Sequence, residues 1–381
     1  MATYYVRADA DGLGNGTTAA ASGATGAWTW TQFMTAWGAG ATLNANDDVN
    51  ICSNGGQIDL TSTDAPTRDG GSTAPITIAG CISAKGDLGV PTYNVDGSLN
   101  VTDWPVVNYS STGRLSASGV DGAVLRQIVW KANVNNNTVT LGGNGAIISC
   151  RVENAGTGGS AAACGLGTVG DAIDCDFVMT GASGTYCAVD TAGGTVTNCR
   201  VWGALVRGIW SSSNAAFING CTIFGSPSAV GIDWTSTNTT HEINIRGNTI
   251  VGCTTGIRFA AAAHTRLVQV VNNHITGCTT GILSLYDGTA QIPILCMGNR
   301  LRNTTNVDGF DNWYAATGGD LRNTVTAGTD AGDYVNPSLN DYRIKSGSPG
   351  ATAGLGGLSA GSRGSDARGG VLLRPGRAGR F

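Results

Sequence analysis

Apolar positions along the middle of the chain come in short β-branched runs: Ala146–Ile148, Thr195–Thr197, Phe217–Ile218, Ile243–Ile245 and Val268–Val271. Several alternate apolar and polar residues, as a strand with one buried face does. Each run is followed by a turn rich in Gly, Asn or Thr. The runs belong to a repeat. Asn248-Thr-Ile-Val-Gly-Cys-Thr-Thr-Gly-Ile257 aligns with Asn273-His-Ile-Thr-Gly-Cys-Thr-Thr-Gly-Ile282, a shift of 25 residues. The Asn position recurs at Asn299, and upstream it is held by Cys221, Cys199, Cys175 and Cys150. The steps of this ladder are 25, 24, 22, 27, 25 and 26 residues. A Gly-Ile pair beginning at 208, 231, 256 and 281 gives a second ladder of the same period.

A fixed period of this size indicates a solenoid, propeller or array. A propeller blade needs a longer unit, and the signature of a leucine-rich repeat is absent. Two or three short strands per 25 residues, with no helix, describe one turn of a single-stranded parallel β-helix. Parallel crossover connections are right-handed by default. If the coil runs from Val49 to about Tyr334 it has around eleven turns and a length of about 50 Å, at roughly 4.8 Å per turn. The fold class expected is therefore all-β, a right-handed parallel β-helix solenoid.

Composition sharpens this picture. The chain has 381 residues, 59 Gly, only two Glu (Glu153 and Glu242) and three Lys, and 13% charged residues. That charged share is about half the usual one, so Ser, Thr and Asn carry solubility. The eleven cysteines could be a disulfide framework. Their spacing favours stacked, inward-facing free thiols instead: Cys164 and Cys187 are 23 apart, Cys253 and Cys278 are 25 apart, and four more share the ladder. No C-x-x-C occurs and the three His (His241, His264, His274) are isolated, so neither a metal nor another cofactor is expected. No signal peptide and no run of 18 apolar residues is visible. A cytosolic origin and no membrane contact are expected from these features.

In chain order, residues 1–51 read as an N-terminal cap. Thr3–Val6 is a short strand. Trp28 to Trp37 is a short helix with Trp30, Phe33, Met34 and Trp37 on one face, ended by Gly38. It covers the open end that a solenoid must cap. Residues 52–345 read as the coil, with an insertion-like stretch at 61–80. Residues 346–381 form an extended arm rich in Gly and then Arg. In it Arg363, Arg368, Arg374, Arg377 and Arg380 face one acid, Asp366. The arm cannot form a core, and it is the candidate partner-binding segment. Nucleic acid is a poor fit for a chain of net charge −4 without another basic patch.

Both ends carry a resemblance. Tyr4-Tyr5-Val6, Asp11 to Thr17, the Trp-rich helix and Asn46-Asp-Asp-Val-Asn-Ile51 resemble the opening of right-handed parallel β-helix proteins of the pectate-lyase-like superfamily. Asn336-Pro-Ser-Leu-Asn-Asp-Tyr-Arg-Ile-Lys-Ser-Gly-Ser-Pro349 resembles their closing motif. The resemblance spans about 3–354 and implies the fold. For function it leaves open polysaccharide lyases and hydrolases, phage tailspikes, and virion components without known activity.

Candidate chemistry is sparse. Glycoside cleavage needs two carboxyl groups about 5–9.5 Å apart. Asp174 and Asp176 appear two apart in one strand, facing one side, with Cys175 pointing inward; a solvated face explains them as well. Asp47-Asp48 reads as a turn. Arg343-Ile-Lys345 matches a polygalacturonase triplet, but its partner motifs are missing. His274 reads as a surface residue, and Trp202, Trp210 and Trp234 as possible exposed sugar platforms. No catalytic residue is assigned. The expectation is a non-enzymatic bacteriophage virion protein, a head decoration or a tail fibre or spike component. Its partners would be capsid or tail proteins of the same virion, in a homotrimer, with host surface polysaccharide as a further contact. The alternative is a polysaccharide lyase, a hydrolase or a carbohydrate-binding β-helix.

Overall fold

The computed structural model describes residues 1–38, 42–71, 73–110, 113–157, 162–167, 170–181, 187–203, 206–211, 216–235, 242–260, 268–285 and 294–308. It also describes three short strands, Thr324–Val325, Tyr334–Asn336 and Asp341–Ile344. The Arg arm, including Arg363, Arg368, Arg374, Arg377 and Arg380, lies outside the described residues, as do His241 and His264.

Among the described residues the chain winds into three parallel sheets of eleven, eleven and nine strands, here A, B and C. Nine turns thus carry a strand in all three sheets. The expected all-β solenoid, with about 25 residues per turn, is what the chain forms. Each sheet stacks one inward row over the row below. In sheet A the row includes Leu125, Ile147, Ala172, Val196, Ile218 and Ile245. In sheet B it includes Trp130, Val152, Phe177, Val201, Ile223 and Ile250. All of these are fully buried. The β-branched runs form strands because their side chains fit a pleated surface buried on one face.

Sheets A and B meet at a corner built the same way on eight successive turns. One residue with positive φ is followed by one buried ladder residue. The pairs are Gln127–Ile128, Ser149–Cys150, Asp174–Cys175, Asn198–Cys199, Gly220–Cys221, Gly247–Asn248, Asn272–Asn273 and Gly298–Asn299. Left-handed backbone is what Gly, Asn and Asp tolerate best, so the corner writes itself into the sequence as a polar or Gly residue ahead of the ladder.

Ladder side chains close the corner's hydrogen bonds. Asn273 Oδ1 accepts from Asn248 N (3.0 Å) and Asn248 Nδ2 (2.9 Å), while Asn273 Nδ2 donates to Ile245 O and Asn299 Oδ1. Cysteine does half of this work: Cys175 Sγ accepts from Cys150 N and donates to Ile147 O on the turn below. The Gly-Ile ladder has a different cause. A Cβ on Gly256 would lie 2.5 Å from both Gly281 O and Ile275 Cγ2, and Gly231 is equally tight against Ile250. Glycine lets sheet C close over the sheet B isoleucines.

Thr3–Val6 is the first strand of sheet A, paired with Asp48–Cys52. Its outer edge is covered by the 16–28 segment, through Tyr5 N to Gly16 O and Trp28 N to Tyr5 O. The helix spans Trp30–Trp37, opened by a capping box between Thr29 and Gln32. Trp30, Phe33 and Trp37 are buried against the first turns, with Met34 only partly buried and Ala36 taking its place in the core. Asp64 fastens this cap by accepting from Trp30 Nε1 (2.8 Å) and Tyr109 OH (2.9 Å). Of the stretch 61–80, residues 61–75 form a long connection without a named strand and 76–80 belong to the Ile76–Cys81 strand; a longer insertion lies at 82–105, between Ile76–Cys81 and Val106–Tyr109. It folds onto the outer face of sheet B, where Leu99 and Trp104 bury Val129.

Candidate functional site

Clustered ion pairs mark two outward faces of the coil. The first lies on sheet B. Arg151, Asp176 and Arg200 occupy one register row, and Lys131, Glu153 and Trp202 another. Glu153 pairs with Arg151 (2.6 Å) and Lys131 (3.8 Å). The Arg200 guanidinium lies 5.1 Å from the Trp202 ring and 5.3 Å from that of Phe224, and pairs with Asp96 of the insertion at 3.4 Å. Asp176 is buried beneath the insertion, accepting from Leu99 N at 2.7 Å. Burial pushes its carboxyl up to about 6, against the opposing pull of Arg200.

The second face lies on sheet C, whose outward row reads Asp190, Trp210, Asp233, Arg258. Asp233 is fully buried between arginines of the turns on either side. Arg258 grips both of its oxygens (2.8 and 2.6 Å), and Arg207 approaches Oδ2 at 2.6 Å. The bidentate pair is the stronger geometry. Arg207 also lies 4.9 Å from the Trp210 ring, whose Nε1 donates to Thr235 Oγ1. Burial raises Asp190 to about 6, partly offset by Arg207. Asp190 and Asp233 are two turns apart, about 10 Å at the spacing of stacked strands, with Trp210 between them. This face can hold a polar ligand by charge and stacking, while both Asp233 oxygens are committed to arginines.

The structure departs from several sequence expectations. Asp174 and Asp176 do not share a strand: Asp174 is the positive-φ corner residue, and Asp176 begins the next strand. Their side chains serve different elements. His274 is buried, not superficial, and burial with Arg300 and Arg302 nearby lowers it to about 3. Trp234 is a core residue packed edge-on to Phe259. Trp202 and Trp210 are half-buried on two different sheets, so the three do not form one platform. Cys164 is in register with Val189, leaving Cys187 two residues away from it. The ladder residues Cys150, Cys175, Cys199, Cys221, Asn248, Asn273 and Asn299 sit buried at one corner, and Ile128 precedes them. All eleven cysteines are buried and none is in a disulfide. The cross-turn ion pairs escaped sequence reading, although the 25-residue step from Asp233 to Arg258 was a signal for one of them.

The crystal structure of pectate lyase Pel9A superposes with a TM-score of 0.51 at 12% identity, covering 95% of this chain and 96% of that one. The fold is the right-handed parallel β-helix of pectate lyases. The profile of a family described as periplasmic copper-binding protein (NosD) matches residues 177–328, less than half of the chain. No curated protein matches the sequence. Copper would need a convergent donor set. Among the described residues no three His, Cys, Asp or Glu come together to hold a metal, and His274 lies beside two arginines. These residues do not fit a copper site. Among the described residues no helix is long and apolar enough to cross a membrane.

Proposed function

We propose that this chain is a non-enzymatic structural protein displayed on a bacteriophage virion, as a head decoration or a tail fibre or spike component, assembled as a homotrimer. The observation that carries the non-enzymatic part is the use made of the coil's acidic groups. Asp176 is buried under the insertion it fastens, and Asp233 is clamped between arginines of two neighbouring turns. Side chains placed this way stiffen a rod. Buried free thiols support folding and assembly in a reducing cytosol, and the Arg-rich arm supplies the attachment segment. The test is co-sedimentation of purified protein with phage shells lacking it, comparing the full chain with a truncation at Gly361. Binding by the full chain and its loss on truncation is the expected result. Failure of both forms to bind overturns the decoration role.

A glycan-contacting role is the second reading, favoured by the Asp190–Trp210–Arg258 row on sheet C. Release of reducing or unsaturated ends from a polysaccharide panel, lost in Asp190→Ala, would replace the structural reading with an enzymatic one.

A further inference from the structure

Several of the eleven thiols bond one another along the ladders, Cys199 with Cys175 and Cys221, and Cys253 with Cys278. The corner cysteines point Sγ at carbonyl oxygens, as Cys175 does to Ile147 O and Ile173 O, and Cys199 to Ala172 O and Thr197 O. At Cys52 and Cys81 the sulfur–sulfur contact is the short one, with the Asn50 carbonyl 4.0 Å from Cys52 Sγ. The two cysteines end two neighbouring strands of sheet A and are direct register partners. Stacked parallel strands are about 4.8 Å apart, within the Cα separations that a disulfide spans. Matching register also sends both side chains to the same face. Their sulfurs are 2.8 Å apart, each the other's nearest polar partner. Forming an S–S bond therefore needs a sub-ångström approach and no movement of the backbone.

We infer that Cys52 and Cys81 are a cross-linking site, closing to a turn-to-turn disulfide when the protein meets an oxidising medium.

The surroundings support the chemistry. Arg7 lies close to both sulfurs, and the hydrogen bond from Cys81, aided by Arg7, draws the Cys52 thiol below its ordinary value while that of Cys81 rises. Cys52 is the attacking thiolate and Cys81 the proton donor. The pair is buried, but it sits in the first turns, with Cys52 directly before the Ser53–Gly55 turn that Arg7 holds through Asn54 Oδ1 (2.8 Å). End turns of a solenoid open more cheaply than its middle. A disulfide reagent such as oxidised glutathione completes the balance. The Cys52 thiolate attacks one glutathione sulfur and expels a glutathione thiolate. Cys81 then attacks Cys52 Sγ, expels the second, and gives up its proton to solvent. Two protein thiols are oxidised and one glutathione disulfide is reduced to two thiols. This inference is independent of the virion reading.

The test uses the full chain. Native protein is incubated with oxidised glutathione, and a second sample is folded in a glutathione redox buffer. Both are acid-quenched, alkylated in denaturant and digested with trypsin. Cleavage after Arg7, Arg68 and Lys85 puts Cys52 in peptide 8–68 and Cys81 in peptide 69–85, so the disulfide joins two peptides that are otherwise separate. We expect the joined species, about 2 Da lighter than its two reduced parts, in the oxidised samples. It should be absent after reduction and absent from Cys81→Ser. Single alkylation of Cys52 and Cys81 in both oxidised samples overturns the inference, as does joining of either cysteine to any other. The wild-type measurement is decisive even if Cys81→Ser does not fold.

Discussion

Replacing Asn273 with alanine removes four buried hydrogen bonds in one step. Asn248 N and Asn248 Nδ2 lose their acceptor, and Ile245 O and Asn299 Oδ1 lose a donor. At a net value of about 1 kcal/mol per neutral bond, the loss is about 4 kcal/mol, and two donors left dry push it higher. That is a large share of a domain's total stability. Cysteine at the same position is a graded control. By the pattern of Cys175 it keeps an acceptor for the Asn248 amide and a donor for Ile245 O, so Asn273→Cys should cost about half as much. Urea unfolding followed by circular dichroism gives the midpoints. Hydrogen exchange at the Asn248 amide reports whether that corner has opened. A combined Asn248→Ala, Asn273→Ala chain should lose less than the sum of the single losses, because the two share bonds. An alanine cost below about 1 kcal/mol, or a cysteine variant no better than alanine, would refute the ladder as the corner's principal tie.

Two further predictions concern charge and space. Asp176 titrates near 6 when folded against 3.8 for the free group, so it lends stability below about pH 4 and loses it as pH rises through 6, by up to about 3 kcal/mol. Asp176→Asn should flatten that stretch of the pH–stability curve relative to wild type, and an unchanged difference between pH 4 and 7.5 would contradict the assignment. Gly256→Ala places a methyl against Gly281 O and Ile275 Cγ2 and should cost about 1–3 kcal/mol. Ile275→Val should recover none of it in urea titrations, since valine keeps the Cγ2 methyl and the carbonyl clash also remains.

The period was legible because each turn repeats one corner, and the corner demands a residue that tolerates left-handed backbone before a small or amide side chain. The same corner explains why Asp174 and Asp176 were misread. Counting every second residue fails across a positive-φ position, which rotates the chain by a sheet. His274 shows another limit. Alternation with Ile275 puts it on the outward side of sheet B, but whether an outward row meets water depends on distant chain folded over it, as the insertion covers Asp176. Trp234 was decipherable: it stands 25 residues before Phe259, and two aromatics in step share an inward row. The Cys52–Cys81 pair was hidden because its 29-residue separation departs from the common period.

Because each corner is completed by the turn above it and the turn below, the molecule keeps time in whole revolutions. The stretches between strands absorb steps of 22 to 27 residues, but a deletion that removes a corner without its whole turn throws the later left-handed residues out of phase. Removing one full revolution between Asn248 and Asn273 leaves Cys221 facing an asparagine that can accept its amide, as Asn248 does now. Length is therefore quantised in this chain. A lineage can lengthen or shorten the rod by copying or dropping complete turns, while the capped end and its attachments stay as they were.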